Sequence, residues 1–265
     1  MSNHGRFIWH ELMTTDPAAA PSFYGEVVGW TTQSFGEGMD YTMWVANGVP
    51  VGGFMMLPEG ARSMGAPSHW MGYVSVADLD AKERAVVRLG GRVYVPPTAI
   101  PGGGRFAIFA DPTGATFGMH ENDGSDPIGK GPGHFGWAEL ATSDPEAAWA
   151  FYGELFGWHK TDFMDMGPMG LYELVGTEAP AQRGPVTAAS MATSFGAILP
   201  RPPEMPVSAW TFYAEVADAD QAQAKALALG AAPFMEVMTV PSGDRVGLFA
   251  DPSGAAFGVV SSPKS

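Results

Sequence analysis

The sequence contains no cysteine among its 265 residues. Disulfides, thiolate metal sites and a cysteine nucleophile are therefore excluded. Basic residues are also scarce, because 14 Lys and Arg stand against 28 Asp and Glu and give a net charge of −14 at pH 7. A field of that sign repels nucleic acids and anionic membrane surfaces, so we expect neither as a partner. It leaves room for a neutral or cationic small-molecule ligand.

Long apolar runs are missing as well. No stretch of the sequence approaches the roughly 20 apolar residues that a membrane-spanning helix needs, and positions 1–10 lack the basic and apolar segments of a signal peptide. The hydrophobic fraction of 46% and the charged fraction of 16% suit packed cores. We therefore expect a soluble, cytoplasmic protein that is a monomer or a homodimer.

The chain repeats itself. At an offset of 128, segment 9–30 matches segment 137–158, and both contain Asp-Pro, Phe-Tyr-Gly-Glu and Gly-Trp. At an offset of 140, segment 70–118 matches segment 210–258, and both contain Phe-Ala-Asp-Pro. The pattern predicts two domains, 1–121 and 134–265, joined by a linker at 122–133. The second copy carries about twelve extra residues between Trp158 and Trp210, where the proline-rich stretch 200–206 predicts a loop.

Each copy is predicted to form two β-α-β-β-β modules. In the first module Asp16 is expected to cap a helix that ends at Gly29, with Pro21 distorting it. The second module is expected to begin with the strand Trp70–Val76 and to end in two strands joined by the turn at positions 111–114. The fourth strand is predicted at Val51–Leu57 in the first copy and at Pro185–Met191 in the second.

These motifs resemble the vicinal oxygen chelate superfamily, which includes glyoxalases, bleomycin-resistance proteins and extradiol dioxygenases. The resemblance rests on the Asp-Pro helix entry with Phe-Tyr-Gly and Gly-Trp, on Val-Ala-Asp before the second helix, and on the terminal Asp-Pro-x-Gly hairpin. It covers both copies and is closest to tandem members described as glyoxalase-like hydroxylases or 27 kDa antigens. It implies an α+β fold in which the two modules of each copy form a curled, U-shaped sheet around a ligand cavity.

The resemblance also implies where a divalent metal would be held, at four strand positions occupied by His, Glu or Gln in the metal enzymes. In this chain the first, fifth and last strands carry Trp9, Gly72 and Gly118 at those positions, and the second copy carries Trp137, Phe212 and Gly258. The predicted fourth strands contain no acid or histidine. None of these side chains coordinates a divalent ion, so we expect no metal cofactor.

Glu11 and Glu139 are the candidate catalytic residues. Each lies two positions after a tryptophan, Trp9 or Trp137, and therefore on the same strand face. A carboxylate among aromatic rings is suited to act as a general base or to bind a cationic ligand. A structural hydrogen bond to a nearby turn is the alternative, and the two tryptophans could equally stack on a flat ligand or fill the lost metal site.

Other candidate ligand-binding residues are less specific. Trp70 and Trp210 could line a cavity or pack in the core. His120 ends the last strand of the first copy and could be a ligand or base at a cavity mouth or an exposed strand end. Arg105 and Arg245 could bind an acidic group of a ligand or pair with a carboxylate across the sheet.

Three functions stay open from the sequence. The first is a glyoxalase-like lyase or isomerase, or a hydroxylase-like enzyme, that uses Glu11 or Glu139 without the usual metal. The second is a non-catalytic protein that binds or sequesters a small molecule, such as a cationic aromatic drug. The third, suggested by similar tandem proteins, is an antibiotic-pathway protein related to hydroxylases, or a secreted or surface antigen, and no residue offers a test of it.

Overall fold

A computed structural model describes residues 2–36, 40–125 and 128–263, so positions 126 and 127 of the predicted linker and the chain ends lie outside the described residues. Within those residues each copy contains eight strands, which matches the two four-stranded modules predicted for it. The first copy has β1 Phe7–Thr14, β2 Thr31–Ser34, β3 Thr42–Ala46, β4 Val49–Met56, β5 His69–Val76, β6 Arg92–Ala99, β7 Arg105–Ala110 and β8 Thr116–Glu121. The second has β9 Phe135–Thr142, β10 His159–Asp165, β11 Leu171–Gly176, β12 Gly196–Pro200, β13 Ala209–Glu215, β14 Ala232–Thr239, β15 Arg245–Ala250 and β16 Ala256–Ser261.

Helices connect the strands. They are α1 Ala20–Val27, α2 Glu59–Ser63, α3 Leu79–Arg88, α4 Pro145–Phe156, α5 Ala188–Thr193 and α6 Ala219–Ala228, with a short 3₁₀ turn at Gly167–Met169. None of the helices in the described part of the chain is long and apolar enough to cross a membrane.

The two copies have the same sheet topology. The first sheet runs β2-β3-β4-β1-β5-β8-β7-β6, and the second runs β10-β11-β12-β9-β13-β16-β15-β14, which is the same order eight strands later. Strand β1 pairs in parallel with β4, and β5 pairs in parallel with β8, whereas the hairpin strands pair antiparallel. The predicted α+β fold with tandem glyoxalase-like sheets is confirmed.

Packing divides the chain differently from the repeat. One compact unit contains residues 1–8, 72–128 and 138–210, and the other contains residues 9–71, 129–137 and 211–265. Each unit therefore combines a first module of one copy with the second module of the other copy.

A buried hydrogen-bonded relay joins the two copies inside each unit. Trp70 donates its indole N–H to the Tyr24 hydroxyl at 2.8 Å, and Tyr24 donates in turn to Asp251 Oδ2 at 2.8 Å. The other oxygen of Asp251 accepts from the backbone N–H of Ser253 and of Ala255, which closes the Asp-Pro-x-Gly turn. Every polar atom of the relay is thereby paired away from water, as burial demands. The equivalent relay in the other unit consists of Trp210, Tyr152 and Asp111.

Helix α1 starts later than the capping pattern predicts. Asp16 Oδ1 accepts from the Ala19 N–H at 3.1 Å, but regular helix begins only at Ala20. Pro21 has no N–H to donate backwards and is tolerated in a first turn. It therefore lies in the first turn of a shortened α1, and not inside a longer helix as the sequence predicts. The second copy has Trp149 in its place, and α4 accordingly starts at Pro145 directly after its Asp144 cap and is 12 residues long against 8.

The fourth strand predicted for the second copy at Pro185–Met191 is wrong. Part of that stretch forms α5, whose start is closed by reciprocal hydrogen bonds between Thr187 and Ser190. The true fourth strand, β12, follows it. Its register shows where the extra residues lie. Leu174 pairs with Ala197, 23 positions later in the sequence, whereas the equivalent pair of the first copy, Met43 and Gly53, is only 10 positions apart. Most of the insertion therefore precedes β12 instead of occupying the loop at 200–206.

Candidate functional site

Three strands of the first copy bring the candidate site together. Glu11 on β1 pairs with Gly53 on β4, and Gly53 pairs with Met43 on β3, so these three residues share one face of the sheet. The neighbouring residue Trp44 points to the other face, where its ring lies 5.4 Å from that of Tyr24 on α1. Glu11 therefore lies on the sheet face opposite α1, as the strand pattern predicts.

Tyr41 completes this site from the position just before β3. Its hydroxyl is hydrogen-bonded to the Glu11 carboxylate and accepts the indole N–H of Trp9 at 2.8 Å. A phenol has one proton to give, and because the indole can only donate, that proton goes to Glu11. Glu11 is only 6% exposed, so the hydrogen bond satisfies a carboxylate that would otherwise be costly to bury.

Burial fixes the protonation state of Tyr41. Desolvation raises the pKa of the phenol far above its ordinary value of 10.0, and the negative charge of Glu11 raises it further. Tyr41 is therefore a hydrogen-bond donor at every physiological pH, and Glu11 is the group of the pair that can take up a proton from outside.

The second copy repeats the pair with a different environment. Tyr172 on β11 donates to Glu139 Oε1 at 2.5 Å, and Glu139 pairs with Ala197 on β12. Glu139 is half-buried, whereas Glu11 is buried. Trp137 is also half-buried and lies two residues before Glu139 on β9.

The structure places the other predicted residues as follows. Trp70 and Trp210 are buried in the relays, 4% and 6% exposed. Arg105 forms ion pairs with Asp80 at 3.0 Å and Glu121 at 2.7 Å, and Arg245 pairs with Asp220 at 2.5 Å. The salt bridges expected as one alternative are thus present, and a ligand-binding role for these residues stays a prediction.

His120 is half-exposed on β8. Its ring lies against Gly104, where an added Cβ would come 2.8 Å from Nε2, and its Nδ1 lies 3.4 Å from the side-chain amide of Asn122. The role predicted for His120 also stays a prediction.

The positions that the resemblance assigns to a metal do not fit one. A Cβ added at Gly118 would lie 2.2 Å from the Tyr73 ring, and one added at Gly258 would lie 2.1 Å from the Tyr213 ring. A tyrosine ring therefore fills the space that a ligand side chain from the last strand would need. Among residues 2–36, 40–125 and 128–263, no three His, Asp or Glu side chains are grouped to hold a metal ion.

The fifth-strand position also needs correction. Trp70 points towards α1, where it contacts Tyr24, and Gly72 lies two residues further along the same strand and so on the same face. Gly72 therefore faces the helix layer, whereas Tyr73, which covers Gly118, faces the other side. The correction adds no acid or histidine to the set.

Tyr41 and Tyr172 are the site residues that the sequence interpretation missed. They recur at an offset of 131, between the two offsets that define the repeat, so neither alignment brings them together. The strand register shows that they are equivalent. Tyr41 lies two residues before the partner of Gly53, and Tyr172 lies two residues before the partner of Ala197. A search for aromatic residues that recur at intermediate offsets is the signal that could have found them.

Comparison with known proteins accords with this geometry. The sequence profile of the Glyoxalase/Bleomycin resistance protein/Dioxygenase superfamily matches residues 6–119 and 133–259. The chain is 34% identical over 258 residues to "Putative glyoxylase CFP32" of Mycobacterium tuberculosis, covering 95% of this chain and 93% of that protein. It is 30% identical over 267 residues to the anthracycline biosynthesis protein DnrV of Streptomyces peucetius, covering 95% and 91%.

Solved structures show the same fold at low sequence identity. The Mn(II)-bound glyoxalase of Novosphingobium aromaticivorans matches with a TM-score of 0.64 at 18% identity, covering 100% of this chain and 84% of that one. The 2,2',3-trihydroxybiphenyl 1,2-dioxygenase of Sphingomonas wittichii matches with a TM-score of 0.63 at 13% identity, covering 98% and 91%. Through both of its copies, the chain belongs to the Glyoxalase/Bleomycin resistance protein/Dioxygenase superfamily.

Proposed function

We propose that this protein binds a small organic molecule on the sheet face opposite α1 and acts on it through Glu11 and Tyr41, as a glyoxalase-like enzyme of lyase or isomerase type. The observation that carries the proposal is the Glu–Tyr hydrogen bond on the first strand of each copy. A buried carboxylate with one phenolic donor is poised to exchange a proton with a third group.

The chemistry follows from the two oxygens of the pair. Glu11 removes a proton from a carbon next to a carbonyl group, and the electron pair of that C–H bond moves to the carbonyl oxygen. Once Glu11 is protonated it no longer needs the Tyr41 proton, so Tyr41 can donate a hydrogen bond to that oxygen. In a substrate with a C=C bond conjugated to the resulting enolate, Glu11 returns the proton to the far carbon of the conjugated system and gives an isomer. This sequence needs no second reactant, so we place it ahead of a hydroxylase-like reaction.

We also propose that the reaction does not use a metal at the inherited positions. The support is the set of side chains there and the tyrosine rings packed over Gly118 and Gly258. Protein treated with a chelator and then dialysed against Mn(II) or Ni(II) should retain much less than one ion per chain by mass spectrometry. One tightly held ion per copy that disappears on changing Trp9 or Trp137 would contradict this part of the proposal.

Doxorubicin is a suitable probe, since curated relatives are anthracycline biosynthesis proteins. It combines a flat aromatic system, one amine and a ketone with exchangeable neighbouring protons. Quenching of tryptophan fluorescence should show saturable binding, and Glu11→Gln should weaken it by about tenfold or more, the scale of a lost hydrogen bond to a charged group. Glu178→Gln, which changes an exposed carboxylate elsewhere, is the matched control and should leave affinity unchanged.

The same probe separates catalysis from binding. In D₂O, proton transfer by Glu11 should remove the NMR signal of the protons next to the side-chain ketone, and Glu11→Gln should stop this exchange. Binding without exchange would favour the second candidate, a non-catalytic small-molecule binding protein. The net charge of −14 and the tryptophan beside each glutamate support that alternative for a cationic aromatic ligand.

A further inference from the structure

Gly53 lies directly beneath Tyr41. A Cβ added at this position would come 2.2 Å from the Tyr41 hydroxyl oxygen and 2.4 Å from the ring carbon that bears it. Those distances are far inside van der Waals contact and involve the functional end of the side chain. With any residue other than glycine, Tyr41 would have to move away from the sheet.

The second copy has a methyl group at the same place. Ala197 pairs with Glu139 and with Leu174, as Gly53 pairs with Glu11 and with Met43, so the two positions are equivalent by register. Tyr172 still reaches Glu139, but the glutamate beneath it is half-buried where Glu11 is buried. The difference in side chain at this position coincides with the difference in how deeply the glutamate is buried, although both tyrosines are half-buried.

We infer that Gly53 is a positioning residue: its missing side chain lets Tyr41 close over Glu11, so that the first copy is the working site and the second copy is not its equal. The inference rests on the proposed function, because it assigns that function to one copy. It makes a single methyl group the determinant of whether the Glu–Tyr pair is shielded from water.

The first test reads the position of Tyr41 without any ligand. A stopped-flow jump to about pH 11.5, monitored at 295 nm, counts the phenols that ionise before the protein unfolds, since an exposed tyrosine has a pKa of about 10. Gly53→Ala should add about one phenolate to the fast amplitude of the wild type, and Tyr41→Phe in the same background should remove that gain. Gly60→Ala is the control, because a Cβ there meets nothing within 4 Å. An unchanged amplitude in folded Gly53→Ala would overturn the inference.

The second test uses doxorubicin affinity. Gly53→Ala should weaken binding by about tenfold, as is expected of Glu11→Gln, whereas Glu139→Gln should weaken it less than either. Should Gly53→Ala fail to fold, Ala197→Gly tests the same idea in the other direction. This variant should make binding sensitive to Glu139→Gln, and insensitivity in that background would count against the inference.

The outcomes keep the two claims apart. A wild type that binds no probe but gains a phenolate on Gly53→Ala refutes the proposed ligand and leaves the positioning role standing. A wild type whose binding depends on Glu11 but not on Gly53 refutes the positioning role alone.

Discussion

The two copies are alike on the helix side of their sheets and differ on the opposite side. On the helix side, Trp70, Tyr24 and Asp251 repeat as Trp210, Tyr152 and Asp111 with nearly the same hydrogen-bond lengths. On the opposite side, buried Glu11 pairs with Gly53 in the first copy, whereas half-buried Glu139 pairs with Ala197 in the second. The buried packing on the helix side tolerates few changes, and the two copies differ on the face where we propose the ligand site.

The largest effect should come from breaking either relay. Asp251→Ala and Asp111→Ala each leave a buried phenol and turn N–H groups without an acceptor, so each should lower the free energy of unfolding by roughly 3 kcal/mol. Denaturation in urea, followed by tryptophan fluorescence, measures both. Equal losses of unfolding free energy would show that the two relays are energetically equivalent. A loss below about 1 kcal/mol for one variant would show that they are not.

A smaller effect should distinguish the copies at a charged cluster. Buried Glu173 binds Arg183 at 2.6 Å and Lys160 at 3.0 Å, whereas the first copy has Thr42 and Thr32 at the positions of Glu173 and Lys160. Arg183→Ala removes one of two cations from a buried carboxylate and should cost about 1.5 kcal/mol of unfolding free energy. Arg88→Ala breaks an exposed pair with Glu154 and should cost less than about 0.5 kcal/mol. Indistinguishable urea midpoints for the two variants would show that the cluster adds nothing specific.

The smallest effect concerns acid stability. Glu121 accepts the N–H that begins α3, as Ser261 does for α6, but only Glu121 also pairs with Arg105. The Arg105 hydrogen bond holds the pKa of Glu121 below its ordinary 4.5. The stabilisation is therefore complete above pH 4.5 and is lost as the pH falls through the lower folded-state pKa.

Glu121→Ser gives the first copy the residue that the second copy has at the equivalent position, Ser261, and tests this difference. Because the pair is partly exposed, the variant should lose less than about 1 kcal/mol at pH 7. The difference between its thermal midpoint and that of the wild type should narrow as the pH falls below 4.5. A gap that stays constant between pH 7 and pH 3 would mean that the ion pair is not its source.

Much of the fold is predictable because local signals agree with it. Asp78 caps α3, the Asp-Pro-x-Gly turn ends each copy, and the matched strands recur in order. The fourth strand of the second copy was missed because an insertion with an alanine-rich helix displaced it. Thr187 and Ser190 carried the capping signal that identifies α5.

The site is predictable only in part. Strand alternation places Glu11 beside Trp9 on one face, but it does not say which residue from another strand will reach them. Tyr41 and Gly53 enter through cross-strand register, which depends on hairpin lengths that differ between the copies. An aromatic residue before a strand and a glycine within one are too common to single out alone.

The crossed relays bear on how the chain folds as it is synthesised. The acceptor of the Tyr24 hydroxyl, Asp251, lies 227 positions later in the sequence, and the phenol that donates to Asp111, Tyr152, lies 41 positions later. A ribosome that has released only the first copy has therefore released a domain in which the Tyr24 O–H lacks its acceptor and Asp111 Oδ2 lacks its donor, although Trp70 and the turn N–H groups still bind the rest of each side chain. Translation past the Asp251 turn supplies the acceptor for Tyr24. We therefore expect a chain truncated just before that turn to lose the Tyr24 hydrogen bond together with strand β16.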